Sequence, residues 1–131
     1  MKNTILQRFL LIAVIGLFSQ FSVAQDNSAN AAAAKQIADI VVSLNHFPSD
    51  TDKAALNAII GDDSLAAGIH AMASAVVNIE HSANMEGKTA MEALQENEEA
   101  PDRAKALAGI IASLNHTASA DAKAELALLF P

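Results

Sequence analysis

Three histidines recur at a fixed interval of 35 residues, and their type and spacing could support chemistry. His46, His81 and His116 each follow a similar apolar stretch. Imidazole nitrogens bind transition metals and transfer protons near neutral pH. If the three side chains converge, they form a metal or proton site, with His70 as a candidate fourth member.

A structural interpretation competes with the metal site and is preferred from the residue pattern. Each of the three histidines is expected to end a helix, where a charged imidazole meets the negative end of the dipole and donates to the last carbonyls. In an open stack of helix pairs, equivalent atoms lie on the order of 10 Å apart. One zinc ion needs its nitrogen ligands about 2.0–2.1 Å away. The histidines therefore converge only if the array closes into a tight bundle.

The histidines belong to an internal repeat. A nine-residue stretch ending at His46 returns almost letter for letter 70 residues later, ending at His116, and a weaker copy ends at His81. Three copies tile the chain as residues 27–61, 62–96 and 97–131. Besides the histidines, two columns are identical in all copies: Ala38, Ala73 and Ala108, and Lys53, Lys88 and Lys123.

Each copy predicts two helices. In the first copy, apolar residues at 37, 40, 41 and 44 follow one face of an α-helix, and this spacing returns in the other copies. These first helices are expected to begin near residues 28, 63 and 98. Ser49, Asn84 and Ser119 are candidate caps for a second, shorter helix in each copy. Because one hairpin cannot bury its apolar face alone, neighbours must stack. We therefore predict an all-α fold of three stacked 35-residue α-hairpins with six helices, either solenoid-like or closed into a bundle.

The two other identical columns and the C-terminus carry their own expectations. The small alanine column suggests a close crossing of helices. The lysine column falls near helix starts, the unfavourable end of the dipole for a cation, so we expect a partner for each lysine or a solvated face. Phe130 lies in an apolar final segment and is expected to be packed, because the end of an array must not expose such a face.

The first 24 residues are typical of a secretory signal peptide. A positively charged start precedes an apolar run that is too short to span a bilayer, and Ser22 and Ala24 supply the small residues of a cleavage site. Residues 25–131 are predicted to form a single helical-repeat domain. The protein is accordingly expected to be exported, to the periplasm or outside the cell.

Composition excludes several classes of function. The formal net charge is −7 and becomes −9 once Lys2 and Arg8 are removed, which disfavours nucleic acid and anionic membranes as partners. The chain has no Cys for disulfides and no Trp or Tyr for stacking on bases or sugars. It also lacks a nucleophile motif and a Gly-rich phosphate loop. The acidic run at residues 96–102 lacks the spacing of a calcium loop.

These observations predict a non-enzymatic, exported helical-repeat protein that binds a protein partner as an accessory module of the cell envelope. The alternative is a metal-binding or metal-buffering protein that uses the repeated histidines. No cofactor is expected beyond the transition metal of that alternative. The distance between the three imidazoles separates the two hypotheses.

Overall fold

The structure, a computed structural model, describes residues 28–131, which are all-helical and contain no regular strand. The helices are α1 (Ser28–Ser43), α2 (Asp50–Ile60), α3 (Ala67–Val77), α4 (Met85–Glu96), α5 (Asp102–Ser113) and α6 (Ala120–Leu129). The predicted helical class and the six helices are confirmed. Within this range no helix is long and apolar enough to cross a bilayer. The predicted signal peptide, residues 1–24, lies outside the described residues.

Helices α2, α4 and α6 begin at the predicted caps. The Ser49 hydroxyl accepts the Asp52 N–H at 3.1 Å, and the Asp52 carboxylate accepts the Ser49 N–H at 3.3 Å, which completes a capping box. Asn84 and Ser119 each accept a main-chain N–H from three residues ahead. These side chains satisfy N–H groups that the first turn of a helix leaves unpaired.

Helices α3 and α5 begin four residues later than the sequence predicts, at Ala67 and Asp102. Asp62 folds the preceding chain into a turn, because its carboxylate accepts the hydroxyl of Ser64 at 2.6 Å and the N–H of Ser64 at 3.0 Å. Asn97 makes a similar local hydrogen bond. Such contacts compete with helix formation. The side-chain and main-chain hydrogen bonds from Ser64 also lower the pKa of Asp62.

Helices α1, α3 and α5 all contact one another and carry most of the buried side chains, and α6 contacts α1. Burial follows the sequence repeat at the core positions, where residues 35 positions apart are buried to a similar extent. The most deeply buried sets are Ile37, Met72 and Leu107; Ala38, Ala73 and Ala108; Val41, Val76 and Ile111; and Leu56, Met91 and Leu126. The alanine column therefore lies inside the core, on the three helices that contact one another.

The helix pairing differs from a simple set of hairpins. Helices α3 and α4 pack side by side, but α1 touches α2 only lightly, as α5 does α6. Helix α2 lies mainly against α3, and α4 also packs along α5. The links that follow α2 and α4, residues 61–66 and 97–101, are as short as the loops within a copy. Because these links are short, α2 packs against α3 and α4 packs against α5, the helices that begin the following copies.

Phe130 is packed where the chain ends, as predicted. Only 5% of its surface is exposed. The guanidinium of Arg103 lies 5.8 Å from the centre of the Phe130 ring, within the range of a cation–π contact. The ammonium of Lys35 donates to the Phe130 carbonyl at 3.4 Å. These contacts connect the C-terminus to α5 and to α1, the first described helix.

Candidate metal centre

The loops that follow α1, α3 and α5 meet through the main chain of their histidines. The N–H of His46 donates to the carbonyl of His116 at 2.6 Å, and the N–H of His81 donates to the carbonyl of His46 at 2.6 Å. The N–H of His116 donates to the carbonyl of His81 at 2.5 Å. The three peptide groups thus form a closed ring of hydrogen bonds. This ring joins the loop of the first copy directly to that of the last.

All three histidines hold a left-handed backbone conformation, with φ of 69° at His46, 69° at His81 and 65° at His116. At His46 and His116 the next N–H also bonds the preceding carbonyl, which makes a γ-turn. A positive φ in a residue other than glycine costs about 1–3 kcal/mol and is often found at functional sites. Glycine would adopt this conformation with less strain. Each copy therefore keeps a histidine at this position although its backbone conformation favours glycine.

The three imidazole rings lie against one another. Their centroids are 5.3 Å apart for His46 and His81, 5.0 Å for His46 and His116, and 5.1 Å for His81 and His116. One nitrogen from each ring lies within 4.8 Å of the other two. The spacing on the order of 10 Å expected of an open stack does not occur. Tetrahedral zinc holds its nitrogens about 3.3 Å apart, so inward shifts of about 1 Å per ring suffice for binding.

Two asparagines orient two of the rings. The Nδ1 atom of His46 lies 2.6 Å from Oδ1 of Asn45, and the same distance separates His116 from Asn115. In the neutral tautomer that donates from Nδ1 to this amide oxygen, Nε2 keeps a free lone pair. Metal-binding histidines generally have such a partner on the other nitrogen. This role of the asparagines was not predicted, although their position directly before two of the repeated histidines was a usable signal.

The site is open on one side. His46 is half-buried, whereas His81 and His116 are exposed. Three nitrogen ligands leave at least one coordination position of a metal free for water or another ligand. Within residues 28–131, no ring of the three donates to a main-chain carbonyl, as a role in capping the helix ends would require. The geometry can thus offer three lone pairs to one ion at the surface.

The fourth histidine and the nearby hydroxyls are engaged elsewhere. The Nε2 atom of His70 lies 2.8 Å from the carbonyl of Asp62 and takes no part in the cluster. The hydroxyls of Ser43 and Ser113 donate to main-chain carbonyls of their own helices. In the described part of the chain, the three histidines are the one group of His, Asp and Glu side chains close enough to share an ion.

The lysine column does not find the expected partners. Lys53, Lys88 and Lys123 are all exposed. Among the described residues, the one ion pair joins Lys35 to Asp39 at 3.3 Å. The three ammonium groups are therefore solvated, which is the second of the two expectations for this column.

Comparison of the chain with known proteins gives no match among family models, curated proteins or solved structures. The function is therefore inferred from the geometry of the histidine site.

Proposed function

We propose that this protein binds one transition-metal ion through the Nε2 atoms of His46, His81 and His116. The observation that carries the proposal is the approach of three ligand nitrogens to within 4.8 Å of one another. The strained backbone at each histidine supports the proposal, because such strain is often kept where a side chain has a function. Packing does not explain it, since these side chains are partly or fully exposed. The asparagines beside two of the rings support it further, because they leave Nε2 free.

The ligand set favours particular metals. Imidazole suits Zn²⁺, Cu²⁺ and Ni²⁺, whereas Mg²⁺ and Ca²⁺ prefer oxygen ligands. The negative charge of the chain, −7 overall, attracts cations to its surface. With the proposed export signal, the role is the binding or buffering of a divalent metal outside the cytoplasm. Intact-mass measurement of exported protein tests this location, because cleavage is expected after Ala24.

Calorimetric titration of the purified protein with zinc and with copper tests the metal site. One ion should bind per chain, and replacing any one of the three histidines by alanine should weaken binding by more than about 100-fold, which exceeds the usual effect of an outer partner. His70→Ala is the matched control, because His70 bonds the Asp62 carbonyl and lies outside the cluster. Equal binding by the His70 and His81 variants would refute the site.

We also propose that the three 35-residue copies form three equivalent helical units closed around a pseudo-threefold axis. The matching burial at equivalent positions, the cyclic hydrogen bonds of the histidines and the contact of α6 with α1 support this arrangement. A circular permutant that starts at residue 62, with residues 131 and 28 joined by a flexible linker, should fold and bind metal. An unfolded permutant would contradict the closed arrangement.

A protein partner in the cell envelope is a second proposal. Its support is the exposure of three large apolar side chains, Phe47, Met85 and Leu128. Pull-down from envelope extract with the wild type and with Phe47→Ser tests it. Retention of the same proteins by both forms would remove Phe47 from the proposed contact.

A further inference from the structure

The three loops that carry the histidines meet in pairs, and we call each meeting of two loops a seam. One of the three seams differs from the other two. In two seams a β-bridge lies beside the ring of main-chain hydrogen bonds that the histidines form. These bridges join Asn45 to Thr117 and Ser82 to Asn115. In the third seam the equivalent positions are Phe47 and Glu80. Both residues lie in the described range, and no bridge joins them. The seam that holds an aromatic ring and a carboxylate therefore lacks the flanking bridge, although the His81 N–H still bonds the His46 carbonyl there.

A surface cavity of about 450 Å³, widely open to solvent, lies at this seam. It is lined by Phe47, Lys53, Glu80, His81 and residues 77–79 at the end of α3. Phe47 is 60% exposed, so a ligand can cover its ring. Lys53 and Glu80 do not form an ion pair with each other, which leaves one cation and one anion in the same cavity for a ligand.

We infer that this seam cavity binds a small zwitterion, an α-amino acid with an apolar side chain, next to the metal. The inference rests on the proposed metal site. Lys53 attracts the carboxylate, Glu80 attracts the ammonium group, and the exposed ring of Phe47 packs against the apolar side chain. His81 is both a wall of the cavity and a proposed metal ligand, so the cavity adjoins the proposed metal site.

The difference between the seams supports a ligand and not a packing requirement. Asn45 and Asn115 stand where Glu80 stands, and Ser82 and Thr117 stand where Phe47 stands. The loops of the other two seams therefore close with small polar residues. The ring of main-chain hydrogen bonds does not need an exposed phenylalanine at this point. The His81 N–H bonds the His46 carbonyl here, and equivalent bonds form at the other two seams.

Titration of zinc-loaded protein with leucine tests the inference, with acetate and butylamine as probes that each lack one charged group. Phe47→Ser and Glu80→Asn install the residues of the other seams, and Lys53→Ala removes the cation. Each change should weaken leucine binding by about fivefold, and Lys88→Ala, from the same column, should leave it unchanged. Zinc affinity without leucine should be the same in the Phe47 and Lys53 variants as in the wild type.

The outcomes separate this inference from the metal site itself. A wild type that binds no zinc overturns both. A wild type that binds zinc, but binds leucine no better than acetate or butylamine, overturns the zwitterion site alone. The same holds if Lys88→Ala weakens leucine binding as much as Lys53→Ala does.

Discussion

The buried core and the histidine loops use the internal repeat in different ways. At several large core positions the copies keep an apolar side chain but change its identity, as at Ile37, Met72 and Leu107, whereas the buried alanine column is the same in all three. In the loops the copies keep the same histidine, although two of the three are exposed. Packing tolerates exchange among apolar side chains of similar volume, whereas a ligand nitrogen has no such substitute. The exposed lysine column is also identical in all copies, so identity at the surface does not by itself indicate a ligand site. The histidines differ from the lysines because their side chains lie together.

The two regions also differ in backbone strain. Most core side chains come from helices, and none of the buried core residues has a positive φ. The histidines hold a positive φ and share a ring of main-chain hydrogen bonds. Changes in the core should therefore act on stability, and changes in the loops should act mainly on ligand binding.

The largest expected effect on stability is in the packed C-terminus. Phe130→Ala should lower the free energy of unfolding by about 3–5 kcal/mol, because the 5% exposed ring leaves a cavity between the chain end and its neighbours. Leu128→Ala is the matched control, since Leu128 is 83% exposed, and should change it by less than about 0.5 kcal/mol. Urea denaturation monitored by circular dichroism measures both. A small effect of Phe130→Ala would mean that the fold does not depend on the packing of this ring.

Lowering the pH should weaken zinc binding by at least about 100-fold between pH 7.5 and pH 5.5. All three imidazoles must be unprotonated to bind, so protons compete with zinc for the three nitrogens as the pH falls. Metal-dependent stability is thus present at neutral pH and is lost as the pH falls. Charged imidazoles at separate helix ends predict the opposite sign, with stability lost as the pH rises. Melting temperatures with and without zinc at both pH values distinguish the two.

Asn45→Ala should weaken zinc binding by about 10–100-fold, because the His46 ring loses the partner that fixes its free nitrogen. Stability without metal should change little, since the asparagine is exposed. Asn78→Ala is the control, because that side chain donates only to the Ser74 carbonyl of its own helix. Calorimetry on the three proteins provides the comparison. An equal loss in both variants would show that the amide of Asn45 does not act through His46.

The helices were predictable because their signals are local. The apolar spacing at residues 37–44 and the side chains of Ser49 and Asn84 identify helices without knowledge of the rest of the chain. The late starts of α3 and α5 were also within reach, since Asp62 and Asn97 are turn formers. The starts predicted near residues 63 and 98 were wrong because the 35-residue repeat places them on residues that form turns in the second and third copies.

The convergence of the histidines was not predictable in the same way. It depends on contacts such as that of α6 with α1, which join parts of the chain far apart in sequence. A period of 35 residues fits both an open stack and a closed ring. Nor does a local pattern reveal the positive φ of His46, because histidine adopts that conformation only when its surroundings require it.

The smallest expected effect concerns the cost of the positive φ at His81, measured separately from the loss of its imidazole. His81→Gly should be more stable than His81→Ala by about 1 kcal/mol, because glycine accepts a φ of 69° and alanine does not. Both variants should lose zinc binding. His70 is the matched control with the opposite sign: it lies within α3, where glycine is less stable than alanine by about 0.5–1 kcal/mol. Urea denaturation of the four metal-free proteins measures the two differences. If His81→Gly were as unstable as His81→Ala, the positive φ would carry no measurable cost, and the backbone strain would no longer argue for a ligand site.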